Sequence, residues 1–140
     1  MSEAPPGSNP YNPLAWFVGD PEIGEGTWIG PFCLIDGSGG LVIGAGCDIS
    51  AGVHIYTHST AKRCVTGRDV DTERAPVTIG TRTFIGAHAV ILPGVTIGSG
   101  CIVGAGAIVT ADVPDGCAAY GVPARVVGNV DPSTGAIHLD

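Results

Sequence analysis

Six aliphatic residues recur at an unbroken spacing of six in the second half of this chain: Ile79, Ile85, Ile91, Ile97, Val103 and Val109. The same spacing runs earlier through Phe17, Ile23, Ile29 and Ile35, and again through Ile43, Ile49 and Ile55. A period of six fits neither the 3.6-residue helix nor the two-residue alternation of a half-buried strand. It fits a parallel β-helix, in which each hexad is one short strand plus a turn and several hexads close one coil.

Other positions of the hexad are constrained as well. Glycine recurs one residue after the aliphatic, as at Gly86, and three residues after it, as at Gly106. Such corners need a positive φ or a very close approach of neighbouring coils, and glycine meets both needs. The fourth residue after the aliphatic is small throughout: Thr27, Cys33, Cys47, Val53, Ser59, Thr83, Ala89, Val95, Cys101, Ala107 and Val113. Large and small side chains in alternation suit a narrow interior. Three of the five cysteines (Cys33, Cys47 and Cys101) occupy this small position and read as core packing. The odd total argues against a disulfide framework. Cys64 and Cys117 fall outside the regular pattern.

The chain divides into an arm over residues 1–16, a β-helix over 17–130 and a tail over 131–140. No basic segment followed by an apolar stretch marks a signal peptide, and no apolar run reaches membrane-spanning length. A cytoplasmic location without membrane contact is the expectation. With 13 acidic against 6 basic residues, a net charge of −7 disfavours nonspecific nucleic-acid binding.

Four of those six cations, Lys62, Arg63, Arg68 and Arg74, fall in one interruption of the repeat, between Ile55 and Ile79. A long excursion over 59–75, read as structureless, is uncommon in a rigid solenoid and points to function. His58 stands at its mouth, and imidazole is the side chain best suited to proton transfer near neutral pH. His54 and His88 each admit a place in a cleft or on a coil wall. Asp36, beside Gly37, reads as either an acceptor-binding carboxylate or a turn residue.

The hexads, together with Gly98-Ser99-Gly100, Val103-Gly104-Ala105-Gly106, Val109-Thr110 and Tyr120-Gly121-Val122-Pro123-Ala124-Arg125, resemble the hexapeptide-repeat acyltransferases. The likeness is to the galactoside and maltose O-acetyltransferase and sugar acetyltransferase branch. It implies an all-β fold, a left-handed parallel β-helix of about four to five coils with three hexads each. It also implies acetyl-CoA as cosubstrate, no metal, and a homotrimer with sites between subunits. By this resemblance His58 is the catalytic base, and Ala87, Gly104, Ala105, Thr110 and Arg125 flank the cofactor. Asp36 and His88 are the candidates for the acceptor, a sugar or nucleotide-sugar. The developing oxyanion calls for fixed donors, expected from the N–H groups of Gly86 and Ala87 of a neighbouring subunit.

Two departures from that branch stand in the sequence. Ala111 follows Thr110 where many relatives carry lysine, and Ile29-Gly30-Pro31-Phe32-Cys33 lacks an amide side chain for the acceptor sugar. The rival reading is a γ-class carbonic anhydrase, which uses the same fold and three zinc-binding histidines. His54, His58 and His88 supply the number, but two of them stand four apart and the third alone, without the pairing on successive coils which that class implies. A noncatalytic scaffold leaves the His58 loop without a purpose.

Overall fold

The computed structural model describes residues 9–140; the first eight residues of the expected arm lie outside them. The first coil holds β1 (Trp16–Val18), β2 (Glu22–Ile23) and β3 (Trp28–Ile29), and the second holds β4 (Leu34–Asp36), β5 (Leu41–Ile43) and β6 (Asp48–Ile49). The third coil opens with β7 (His54–Ile55), leaves for an excursion through β8 (His58–Ser59), α1 (Ala61–Val65) and β9 (Glu73–Arg74), and resumes with β10 (Val77–Ile79) and β11 (Phe84–Ile85). The fourth holds β12 (Val90–Ile91), β13 (Thr96–Ile97) and β14 (Ile102–Val103). The fifth runs from β15 (Ile108–Val109) through a bridge between Val113 and Ile97 to β16 (Cys117–Gly121).

Each coil visits three faces in turn. The first face stacks β1, β4, β7, β12 and β15; the second stacks β2, β5, β10 and β13; the third stacks β3, β6, β11, β14 and β16. All of these neighbours pair in parallel, and Ile79 meets Ile97 while Ile85 meets Val103, so a regular coil takes 18 residues. The molecule is a left-handed parallel β-helix of hexapeptide repeats with about five turns. Two-residue strands suffice because their backbone groups pair with the strands stacked above and below, and the aliphatic columns supply the burial.

The hexad aliphatics fill the interior: Ile29, Ile35, Ile43, Ile49, Ile55, Ile79, Ile85, Ile91, Ile97, Val103 and Val109 are all buried, while Phe17 and Ile23 in the first coil are partly so. The small residues line the inner corners. Thr83 is typical: its hydroxyl donates to the Gly98 carbonyl at 2.7 Å and accepts the Cys101 N–H at 3.1 Å, which ties two coils together inside the core. The thiol of Cys101 donates in the same way to the Pro114 carbonyl at 3.1 Å.

The two glycine positions serve different needs. A Cβ on Gly86 would lie 2.5 Å from the Ala105 nitrogen of the next coil, so that position is dictated by close approach. Gly106 has φ +71° and open space around it, so it is dictated by backbone conformation. Three hexads place a larger residue in this left-handed slot: Phe32 (φ 63°), Arg82 (φ 53°) and His88 (φ 63°).

Four sequence expectations are corrected. Ser59 is not an interior small residue, because the chain has already left the coil there and Ser59 pairs with Glu73 in the excursion. The excursion is not structureless, since β8 and β9 form an antiparallel pair and α1 adds a short helix. Cys117 belongs to the fifth coil and is buried, because β16 pairs in parallel with β14. After β16 the chain reverses: β17 (Ala124–Val130) runs antiparallel to β16, and β18 (Ile137–Leu139) antiparallel to β17. The parallel helix therefore ends before Pro123, and β17 and β18 continue its third-face sheet in antiparallel order.

Candidate active site

His58 emerges where the first face turns toward the second, three residues beyond Ile55 at the end of β7. One coil below, Ile35 pairs with Ile55, which sets Asp36 beneath the same corner. Between Ile35 and Ile43 the spacing is eight rather than six. The two extra residues form the turn Gly37–Gly40, closed by the Gly40 N–H donating to the Gly37 carbonyl at 3.0 Å. This turn lets the Asp36 carboxylate point up toward the next coil.

The His58 Nδ1 lies 2.5 Å from Asp36 Oδ2. The same oxygen accepts the Thr57 N–H at 2.9 Å, and Oδ1 accepts the Ser38 N–H at 2.9 Å. Ser38 Oγ stands 3.4 Å from His58 Nδ1. The Thr57 hydroxyl donates to the Asp36 carbonyl at 3.0 Å and accepts the Gly39 N–H at 2.8 Å. Asp36 and Thr57 are fully enclosed, whereas His58 keeps 36% of its side-chain surface exposed. An ionised carboxylate only accepts hydrogen bonds, so Nδ1 carries the proton and Nε2 offers its lone pair outward.

Burial alone would raise the Asp36 pKa. The Ser38 side chain, the Thr57 and Ser38 N–H groups and His58 outweigh it, and the carboxyl lies well below the ordinary range. The carboxylate is thus ionised at neutral pH and committed to its neighbours. Asp36, expected at the acceptor, is buried here, and both of its carboxylate oxygens are taken by protein donors, His58 among them.

The other histidines are held elsewhere. His54 Nδ1 is 3.0 Å from the Tyr56 hydroxyl, and the two rings meet edge to face at 5.8 Å. His88 sits on the corner between the third and first faces, exposed, with its ring over Gly52. Among the described residues no three His, Cys, Asp or Glu side chains are grouped to hold a metal ion.

The residues expected to flank a cofactor divide into two places. Ala87, Gly104 and Ala105 lie on the same third-to-first corner as His88, and the Gly106 N–H donates to the Ala87 carbonyl at 2.8 Å. Gly104 and Ala105 border a groove of about 500 Å³ completed by Phe84, Ile102, Val103 and Tyr120. A Cβ on Gly104 would come within 2.6 Å of the Tyr120 ring, so glycine here lets that ring pack against the coil. Arg125 is exposed on β17 directly opposite Tyr120. Thr110 is on the other edge of the first face, in a groove of about 340 Å³ with Ser59, Arg74, Leu92 and Pro93. The Gly86 N–H is spent on the Val103 carbonyl at 2.8 Å, which removes it as an oxyanion donor and leaves Ala87 of the expected pair.

The aromatic wall of Phe84 and Tyr120 carries no signal in the hexad pattern. The Asp36–His58 pair does: the eight-residue interval after Ile35 marks an inserted turn one coil below the excursion.

The family described as the hexapeptide repeat of succinyl-transferase matches residues 22–57 and 76–111, which flank the excursion. Nodulation protein L of Rhizobium meliloti is 44% identical over 112 residues, covering 76% of this chain and 58% of that protein. Galactoside O-acetyltransferase of Escherichia coli is 41% identical over 56 residues, covering 40% of this chain and 28% of that enzyme. The chain thus spans well under two thirds of the length of either relative. Among solved structures, a hexapeptide-repeat acetyltransferase of Vibrio cholerae in complex with acetyl coenzyme A superposes with a TM-score of 0.69 at 30% identity, covering 78% of this chain and 60% of that one. With hexads matched over about half its length and the coils they predict present, the chain belongs to the hexapeptide-repeat family.

Proposed function

We propose that this chain is an acetyl-CoA-dependent acetyltransferase acting on a hydroxyl or amine of a sugar or similar small polar acceptor, with His58 as general base. The observation that carries the reading is the short Nδ1–Oδ2 contact of His58 to a buried, fully satisfied Asp36. Such a carboxylate fixes the ring's orientation and tautomer and favours the imidazolium once a proton has been taken. His58 Nε2 removes the acceptor proton during attack, and the imidazolium returns it to the departing thiolate. Acetyl-CoA, when bound, supplies the thioester carbonyl. The groove at the Gly104–Ala105 ledge, walled by Phe84, Ile102 and Tyr120, fits a narrow pantetheine arm. Arg125 beyond Tyr120 is placed to meet phosphate, Ala87 N–H serves as an oxyanion donor, Thr110 lines the entry, and His88 meets the acceptor. Relatives named galactoside O-acetyltransferase, and a structural neighbour bound to acetyl coenzyme A, support this substrate class.

The site is formed between copies of the chain. His58 and the Gly104–Ala105 ledge stand on opposite edges of the first face, so one copy does not bring them together. The outward column of that face is mostly apolar: Trp16, Leu34, His54, Val90 and Ile108 stack in register. A homotrimer covers this column and sets one copy's His58 against the next copy's ledge. The protein works in the cytoplasm, where acetyl-CoA is at hand; no helix among the described residues is long and apolar enough to cross a membrane.

The direct test is acetyl transfer to a panel of methyl glycosides in the presence of a chelator. Wild-type protein is expected to transfer, and His58→Ala is expected to lose two to three orders of magnitude in kcat with acetyl-CoA affinity within about threefold. Zinc-dependent hydration of carbon dioxide without transfer would establish the γ-class alternative instead.

A further inference from the structure

The excursion carries its cations in two different states. Lys62 is spent on Glu73, with Nζ 2.7 Å from Oε1. The Arg74 guanidinium has neither a hydrogen bond nor an ion pair among the described residues, although the chain holds 13 acidic residues against 6 basic ones. Its position is not that of a loose loop cation. Arg74 lies on β9 directly opposite His58 on β8, and directly opposed residues of an antiparallel pair project to the same side with Cβ atoms about 5 Å apart. The hairpin is in turn tied to the coil, because the Ala75 N–H donates to the Thr57 carbonyl at 3.0 Å. A groove of about 340 Å³ begins there, lined by Ser59, Arg74, Leu92, Pro93 and Thr110, with the Lys62-paired Glu73 also on its wall.

A guanidinium with no protein anion of its own offers a bidentate fork that fits carboxylate or phosphate, and on this hairpin it stands beside His58, where such a group of the acceptor would be held next to the base. Acetyl-CoA does not supply this anion, since its phosphates lie at the far end of the pantetheine arm from the thioester that must stand at His58. We infer that Arg74 is an acceptor-binding residue selecting an anionic acceptor, one with a carboxylate or phosphate close to the hydroxyl or amine that is acetylated. The inference rests on the acetyl-transfer reading of His58 and narrows its substrate class.

Two measurements on the full chain separate the inference from that reading. The first is equilibrium binding, by calorimetry, of methyl glucuronide, glucose 6-phosphate and neutral methyl glucoside, which needs no turnover. The second is the acetylation rate of the same three compounds. Wild-type protein should prefer at least one anionic compound by about tenfold or more in both measurements, and the one preferred tells carboxylate from phosphate. Arg74→Gln should bring the anionic-to-neutral ratio within twofold, and Arg74→Lys should keep part of it. The acetyl-CoA KM and the sedimentation coefficient should not move. Preference in binding without any transfer would uphold the Arg74 subsite while sinking the transferase reading. Equal binding of all three compounds by wild type, a risen acetyl-CoA KM in Arg74→Gln, or a changed assembly state would overturn the subsite.

Discussion

The Asp36 carboxylate ties acid stability to the base at the scale of single residues. Its pKa is lower in the folded chain than the ordinary value near 4, so its contribution is complete above that value and fades as pH falls toward the folded pKa. Asp36→Asn removes this contribution. The stability gap between wild type and Asp36→Asn should therefore shrink by about 1 kcal/mol between pH 5 and pH 3, read by urea unfolding. A gap that is constant or grows on acidification would mean that Asp36 is not held as an ionised carboxylate.

His88 offers a second residue-scale test. Its φ of 63° is the conformation that glycine holds in most other hexads, and a side chain there costs about 1 kcal/mol. Strain of this kind is retained where the side chain is needed. His88→Gly should leave stability equal or higher by up to about 1 kcal/mol, yet raise the acceptor KM severalfold. A less stable variant with unchanged KM would make His88 a packing residue over Gly52.

The inserted turn of the second coil is the device that makes the site at the scale of elements. Gly37–Gly40 bulges from the corner, Gly39 N–H caps the buried Thr57 hydroxyl, and Thr57 N–H completes the Asp36 shell. Replacing Thr57 by Val keeps the shape but leaves the Gly39 N–H without its acceptor, at a cost of about 1–3 kcal/mol. The expected outcome is a kcat lowered by about tenfold together with that loss of stability, with both restored by Thr57→Ser. A stability loss with unaltered kcat would confine Thr57 to the fold.

How far the sequence reaches is also clear at this scale. The hexads place the interior residue of nearly every strand, since Ile29 through Val109 recur as the buried columns. They do so because each coil repeats the same demand on the same position. The meeting of Asp36 with His58 is of another kind. It depends on a 22-residue offset, one coil plus the inserted turn and the lead-out of β7, and only the stacked coils bring those pieces together. The reversal at β17 is likewise invisible to a six-residue period, because its antiparallel strands answer to a two-residue one.

For the whole molecule, the two halves of the proposed site lie on different corners of the coil. Within one copy, His58 faces the first-to-second corner and the Gly104–Ala105 ledge faces the third-to-first corner. On the proposed reading a working site takes its base from one copy and its ledge from another. His58→Ala and Ala105→Trp should each be inactive alone. Co-refolded at equal amounts, a site is intact only when an Ala105→Trp copy presents its His58 to the ledge of a His58→Ala copy. Random assembly makes that about one site in four. The measurement is the acetyl-transfer rate of the mixture: about a quarter of the wild-type rate per site is predicted, and a mixture as inactive as its parents would contradict a site shared between copies.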